Sequence, residues 1–112
     1  MFHKTNPLKL NKLQLRTLAI AQLLAASSEN SYQDHLNGDA TILYLPPLHG
    51  DHLHISGNVI KSGDISGFTN PSVWEALERK GLARNDLVAV ALTDLGLIYN
   101  TGVKDLFNLS SD

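Results

Sequence analysis

The last third of the chain carries the strongest local folding signals. Asn70-Pro71 predicts a helix start, because asparagine caps the first amides and proline at the first helical position lacks only an amide that would stay unbonded. Gly81-Leu82 predicts a Schellman end, where glycine takes the left-handed conformation and leucine supplies the accompanying apolar contact. The apolar run 87–92 then predicts a buried strand. Thr93 is expected to cap a last short helix that continues to about residue 100. A helix, a connection, a strand and a second helix therefore follow one another.

An earlier segment predicts a longer helix. Asn11 and Gln14 have the spacing of a capping box, and Lys12 to Ala26 is almost free of helix breakers. The apolar residues of this helix cover more than the ~100° arc that a single core contact needs, so the helix needs two apolar partners. One partner is the core, and the other is either a second layer of the same chain or another subunit. We predict a homodimer through residues 12–26, in which the contact residues are Ile20 and Leu24, or Leu15 and Leu18.

Between these helices the sequence predicts a small antiparallel sheet. The segment 41–45 is strand-like by its β-branched and aromatic content, and the prolines after it end the strand. A second strand is expected from His52 to Ser56. Gly57-Asn58 would then form a two-residue turn that places Ile55 opposite Ile60. The polar stretch 32–36 is expected to be a loop or at most one helical turn, and the stretch 62–67 is expected to be a loop.

Composition narrows the class of protein. A chain of 112 residues can bury its own core, and we predict that residues 1–112 form a single domain. The sequence has no cysteine, which excludes a disulfide scaffold, a thiolate zinc site and a cysteine nucleophile. No stretch approaches the ~20 apolar residues of a membrane span, and no secretory signal is recognisable at the N-terminus. We expect a cytoplasmic protein with no membrane partner.

The segment from Asn70 to Gly96 resembles the winged-helix repressors of the multiple-antibiotic-resistance regulator type. Residues 79–82, Arg-Lys-Gly-Leu, are similar to the end of the recognition helix in that family, and residues 92–96, Leu-Thr-Asp-Leu-Gly, are similar to the step that opens the helix after the wing. The resemblance implies an α+β, winged-helix-like domain with a long N-terminal helix, a small antiparallel sheet and a C-terminal helix. It also implies a transcription regulator. Two features depart from the family: only Arg84 lies near the wing tip, and strands precede the helix where the family has a further helix.

DNA recognition requires a helix whose outward side chains reach base edges, flanked by cations that contact the backbone. Two acids, Glu75 and Glu78, lie on the outward face of the predicted recognition helix and would repel phosphate. The net charge of −2 also lacks the basic balance typical of nucleic-acid domains. We therefore keep two interpretations open, DNA binding and a scaffold for protein association. The candidate DNA-binding residues are Arg79, Lys80, Arg84, Lys12 and Arg16.

The segment His49-Gly50-Asp51-His52-Leu53-His54 is the other candidate site. In a strand His52 and His54 project from the same face, so their imidazoles could share one ion. The alternative is that both rings lie on an exposed strand face and hold a neighbouring loop through hydrogen bonds, or form a pH-sensitive interface. The candidate metal ligands are His49, His52, His54, Asp51 and Asp64.

No pattern in the chain predicts catalysis. There is no Gly-x-Ser-x-Gly elbow, and no glycine-rich segment continues into the Gly-Lys-Ser/Thr of a phosphate loop. We predict a small regulatory or interaction protein of winged-helix type that is not an enzyme, needs no cofactor and has DNA as one candidate partner. The alternative is a metal-dependent protein that uses the histidine cluster to bind zinc or another divalent metal.

Overall fold

A computed structural model describes residues 6–27, 30–33, 38–42, 45–48, 50–55, 57–85 and 89–102. The architecture is α+β, as predicted, and the strands of the described residues form two antiparallel sheets. One sheet has four strands in the order β1-β2-β6-β5, and the other is the hairpin β3-β4. The elements are α1 (Lys12–Ala25), β1 (Ser31–Gln33), β2 (Ala40–Ile42), β3 (His52–Ile55), β4 (Asn58–Lys61), a 3-10 turn (Ser62–Ile65), α2 (Pro71–Arg79), β5 (Ala83–Asn85), β6 (Val90–Leu92) and α3 (Asp94–Ile98).

Short-range signals set the start of α1 and both ends of α2. The Asn11 side chain accepts from the Gln14 amide at 2.8 Å and the Gln14 side chain accepts from the Asn11 amide at 2.9 Å, which confirms the capping box. At the end of α2, Gly81 has a φ of +79°. The Leu82 amide donates to the Leu77 carbonyl at 3.0 Å, as a Schellman end requires. The predicted boundaries of α2 are therefore confirmed.

Helix α1 packs between two apolar clusters of the same chain. Leu18 and Ala21 belong to one cluster, which joins α1 to α2 and β6. Ile20 and Leu24 belong to the other, which joins α1 to β2 and the β3-β4 hairpin. Leu18, Ile20 and Leu24 have no exposed surface, so they cannot also contact a second subunit. The second partner of α1 is thus a layer of the same chain, and the prediction of a dimer contact through residues 12–26 is wrong for these side chains.

Two strand predictions need correction. Residues 31–33, whose last two fall in the predicted loop 32–36, form β1 and pair with β2. In the hairpin, Ile60 lies opposite Leu53 and not opposite Ile55, because Asn58 is already the first residue of β4 and pairs with Ile55. Leu53, Ile55 and Ile60 are nevertheless all buried on the inner face of the hairpin. Residues 43–44 and 87–88 of the predicted strands lie outside the described residues.

The longest helix, α1, has 14 residues. Within the described ranges no helix has the length and apolar content needed to cross a bilayer. The last helix, α3, ends at Ile98, two residues before the predicted end, because Tyr99 is extended. Four residues at the start of the predicted loop 62–67 form the 3-10 turn.

Candidate functional site

The buried side of α2 holds the only tryptophan of the chain. Trp74 is 3% exposed and shares a cluster with Leu77 and Leu82, on the side of α2 opposite its charged residues. Its indole Nε1 donates to the Phe68 carbonyl at 2.8 Å, and the two aromatic rings meet edge to face at 5.3 Å. The apolar side of α2 is therefore fully used inside the domain, and only its polar side is available to a partner.

The exposed side of α2 is acidic over most of its length. Ser72, Glu75 and Glu78 are exposed, and the first basic residues, Arg79 and Lys80, come only at the C-terminal end. The Glu78 carboxylate accepts from the Asn85 amide at 3.4 Å, which joins α2 to β5. A phosphate backbone along this side of α2 would meet two carboxylates before it met a cation.

Arg84 holds a buried carboxylate of its own chain. On β5, the Arg84 Nε donates to Asp39 Oδ2 in an ion pair. The Asp39 side chain is only 6% exposed, whereas that of Arg84 is 62% exposed. A buried carboxylate needs charge-assisted hydrogen bonds to offset its lost hydration. Arg84 therefore has a structural function in the sheet, whereas the sequence predicted only a phosphate contact for it.

The other candidate cations do not converge on α2. Arg16 lies 3.8 Å from Asp64 at the 3-10 turn, and Lys12 is exposed at the first position of α1. The Lys80 ammonium donates to the Leu8 carbonyl at 2.9 Å, which joins the end of α2 to the segment before α1. Three of the five predicted DNA-binding residues, Arg16, Lys80 and Arg84, thus make contacts within the chain.

The junction between the end of α2, β6 and α3 is tightly bonded. The Thr93 hydroxyl donates to the Gly81 carbonyl at 2.7 Å and accepts from the Gly96 amide at 3.1 Å. Gln22 of α1 completes the junction, because its side-chain amide donates to the carbonyls of Gly96 and Tyr99, each at 2.8 Å. Gln22 is a polar residue on an otherwise apolar face of α1, and this pattern is the feature of the sequence that could have indicated its bonding function.

The outward side of α3 exposes two large apolar side chains. Leu95 is 56% exposed and Ile98 is 77% exposed, and they lie three residues apart, on one face of the helix. We call this pair the α3 apolar face. This face was not predictable from the sequence, in which Leu95 is notable only for the family resemblance of residues 92–96. Among the described residues, Leu8, Tyr32 and Leu48 are the other large apolar side chains that are exposed.

The histidine cluster lies on the outer face of the β3-β4 hairpin. The rings of His52 and His54 are side by side, with centroids 5.0 Å apart and planes at 81°. The His52 Nδ1 lies 3.2 Å from Asp51 Oδ1, and this hydrogen bond holds the pKa of Asp51 below its ordinary value. Asp64 pairs with Arg16, as described above, and His49 lies outside the described residues. Among the residues that the structure describes, no three histidine or acidic side chains come together as a metal site.

Comparison with known proteins gives no match: no family model, curated protein or solved structure is similar to this chain.

Proposed function

We propose that this chain is a winged-helix-like binding module that acts through protein contacts, and that its first partner is a second copy of itself. Support for the module comes from the chain order α2, β5, β6, α3, with Thr93 bonded to the turn that ends α2. This is the order expected from the resemblance to winged-helix repressors. Specific DNA recognition by α2 is not part of the proposal, because the exposed side of α2 carries Glu75 and Glu78.

The observation that carries the proposal is the α3 apolar face. Removing apolar surface from water is worth about 25 cal/mol per Å², which favours association once it outweighs the entropy cost of joining two chains. The exposed Leu95 and Ile98 side chains supply such surface. Neither side chain is charged; the exposed Asp94, four residues before Ile98, borders the face, and its carboxylate accepts from the Leu95 amide at 2.8 Å. A two-fold contact centred on Leu95 and Ile98 therefore brings apolar surfaces together, with Asp94 at the edge. A second copy of the chain therefore fits this face, and such a copy is available in every purified sample.

The experiment is sedimentation equilibrium of the full chain with Ile98→Lys, Leu95→Lys and the parent protein. We expect the parent to be a dimer at tens of micromolar and both variants to be folded monomers, because a lysine on each copy would place like charges at the contact. Leu48→Lys is the matched control, since Leu48 is 46% exposed in a different part of the molecule. A monomeric parent, or a dimer that survives both α3 substitutions, would refute the proposal.

Duplex DNA of random sequence tests the other interpretation. We expect weak binding with a shallow dependence on salt, because few phosphates are neutralised. The double variant Glu75→Gln, Glu78→Gln should bind more tightly than the parent, since it removes two repulsive charges from α2. Strong, steeply salt-dependent binding by the parent would instead favour a DNA-binding function for Arg79, Lys80 and Lys12.

A further inference from the structure

The outer face of the β3-β4 hairpin carries His52, His54, Val59 and Lys61, and the inner face carries the buried Leu53, Ile55 and Ile60 together with Asn58. Leu53 and Ile55 point inward and are buried, so His52 and His54 lie on the opposite face of β3. Across the ladder, Lys61 lies opposite His52 and Val59 lies opposite His54. The two imidazoles are therefore neighbours on an accessible face whose backbone is fixed by strand pairing.

The arrangement of the two rings is suited to chelation. Two imidazoles that bind one ion place each ligating nitrogen ~2.0–2.1 Å from it, which requires adjacent rings that are not stacked face to face. The centroid separation of 5.0 Å leaves room for one ion bound by both rings, and the angle of 81° shows that the rings are not stacked face to face. In addition, the Asp51 carboxylate bonded to His52 Nδ1 favours the tautomer in which Nε2 carries the lone pair, and such carboxylate contacts raise the basicity of a histidine ligand.

We propose that His52 and His54 form a two-histidine site for a divalent late transition-metal ion, with copper(II) bound most tightly. Imidazole nitrogen suits copper, nickel and zinc, and affinity along the first-row series is highest for copper(II). Asp51 is a positioning residue that acts through His52. Asp64 is not a ligand in this proposal, because it pairs with Arg16. The remaining coordination positions belong to solvent.

The test is a copper(II) titration of the full chain by calorimetry, with electron paramagnetic resonance to detect nitrogen ligands. Every protein carries His3→Ala, because a free amino terminus followed by histidine at the third position can itself bind copper. We expect one equivalent of copper with two imidazole ligands. His52→Ala and His54→Ala should each weaken binding at least ten-fold, and Asp51→Asn about ten-fold, in line with the loss of an outer-shell partner.

Two further variants make the result specific. His35→Ala, a histidine outside this segment, should leave copper affinity unchanged. Lys61→Gln should tighten binding, because it removes a positive charge from the position opposite His52. Circular dichroism checks that each variant is folded. The proposal is overturned if His52→Ala or His54→Ala binds copper with the affinity of the parent. It is also overturned if His49→Ala loses much copper affinity while His54→Ala loses little.

Discussion

A β-carbon on Gly96 would overlap the backbone carbonyl oxygen of Leu82. The same oxygen accepts a hydrogen bond from the Thr93 amide at 3.1 Å, and Leu82 is 1% exposed. The obstacle is therefore main chain in a packed turn and cannot rotate away as a side chain would. Gly96 is required by this close approach between α3 and the end of α2.

The first prediction is that Gly96→Ala destabilises the protein. In an unobstructed helix, alanine would be favoured over glycine by about 1 kcal/mol. Here the overlap should outweigh that preference and lower the free energy of unfolding by about 1–3 kcal/mol, as overpacked core substitutions do. Urea denaturation measures the difference.

Gly63→Ala is the control for this prediction. Gly63 lies in the 3-10 turn without a left-handed φ, and a methyl group added to its α-carbon would have no neighbouring atom within 4 Å. The substitution should leave stability unchanged or raise it by up to about 1 kcal/mol, through the smaller entropy of the unfolded chain. If both substitutions stabilise the protein, the close approach of Gly96 to Leu82 is not present in solution.

A second prediction concerns the indole of Trp74. Trp74→Ala should lower the free energy of unfolding by about 3–5 kcal/mol, because it empties a large site in a packed core. Trp74→Phe keeps most of the volume but loses the hydrogen bond to the Phe68 carbonyl, and should cost less than the alanine change. Intrinsic fluorescence gives an independent check, since Trp74 is the only tryptophan and should emit at short wavelength. Emission near that of free tryptophan would contradict its burial.

Arg84 should be needed for stability. Arg84→Ala removes a partner of the buried Asp39 carboxylate, and we expect a loss of about 1–3 kcal/mol. In the background of Asp39→Asn the same substitution should cost much less, so a double-mutant cycle should show coupling between the two positions. Thermal and urea unfolding of the four proteins provide the values. If the cycle shows no coupling, Arg84 behaves as an ordinary surface arginine and remains a candidate for phosphate binding.

The position of α1 leads to a fourth prediction. Leu24→Lys should abolish the folded state, because Leu24 has no exposed surface and the ammonium would be buried in an apolar cluster. Ala26→Lys, at an exposed position just past the helix, should have little effect. Circular dichroism melting curves distinguish the two. A folded, monomeric Leu24→Lys protein, compared with a dimeric parent, would instead support α1 as the subunit contact.

The helix signals were predictable because each of them lies within a few residues. Asn11 with Gln14, Asn70 with Pro71, and Gly81 with Leu82 form motifs that are complete in themselves. Strand pairing is different, since β1 exists by pairing with β2 and its three residues show no apolar alternation. In the hairpin, alternation correctly placed Leu53 and Ile55 on the inner face. Alternation could not determine whether Ile55 or Leu53 lies opposite Ile60, because the two registers differ by two residues and bury the same side chains.

The candidate sites were less predictable, because their chemistry depends on residues distant in the sequence. Lysine and arginine positions are visible in a sequence, but the partners that engage them are not: Asp39 lies 45 residues before Arg84, and Leu8 lies 72 residues before Lys80. Adjacent histidines on a strand were predictable from the period of two. The exposure of Leu95 and Ile98 was not, because it depends on which side of α3 meets Leu82 and Gln22.

The packing of α1 between two clusters has a consequence for synthesis on the ribosome. This helix is made early, but its partners Ile60 and Leu92 are made 36 and 68 residues after Leu24 (60 minus 24 and 92 minus 24). Until both clusters are complete, the apolar sides of the nascent helix are only partly covered, which is the state in which chains aggregate or bind chaperones. Translation speed through residues 25–92 therefore sets how long the nascent chain stays vulnerable.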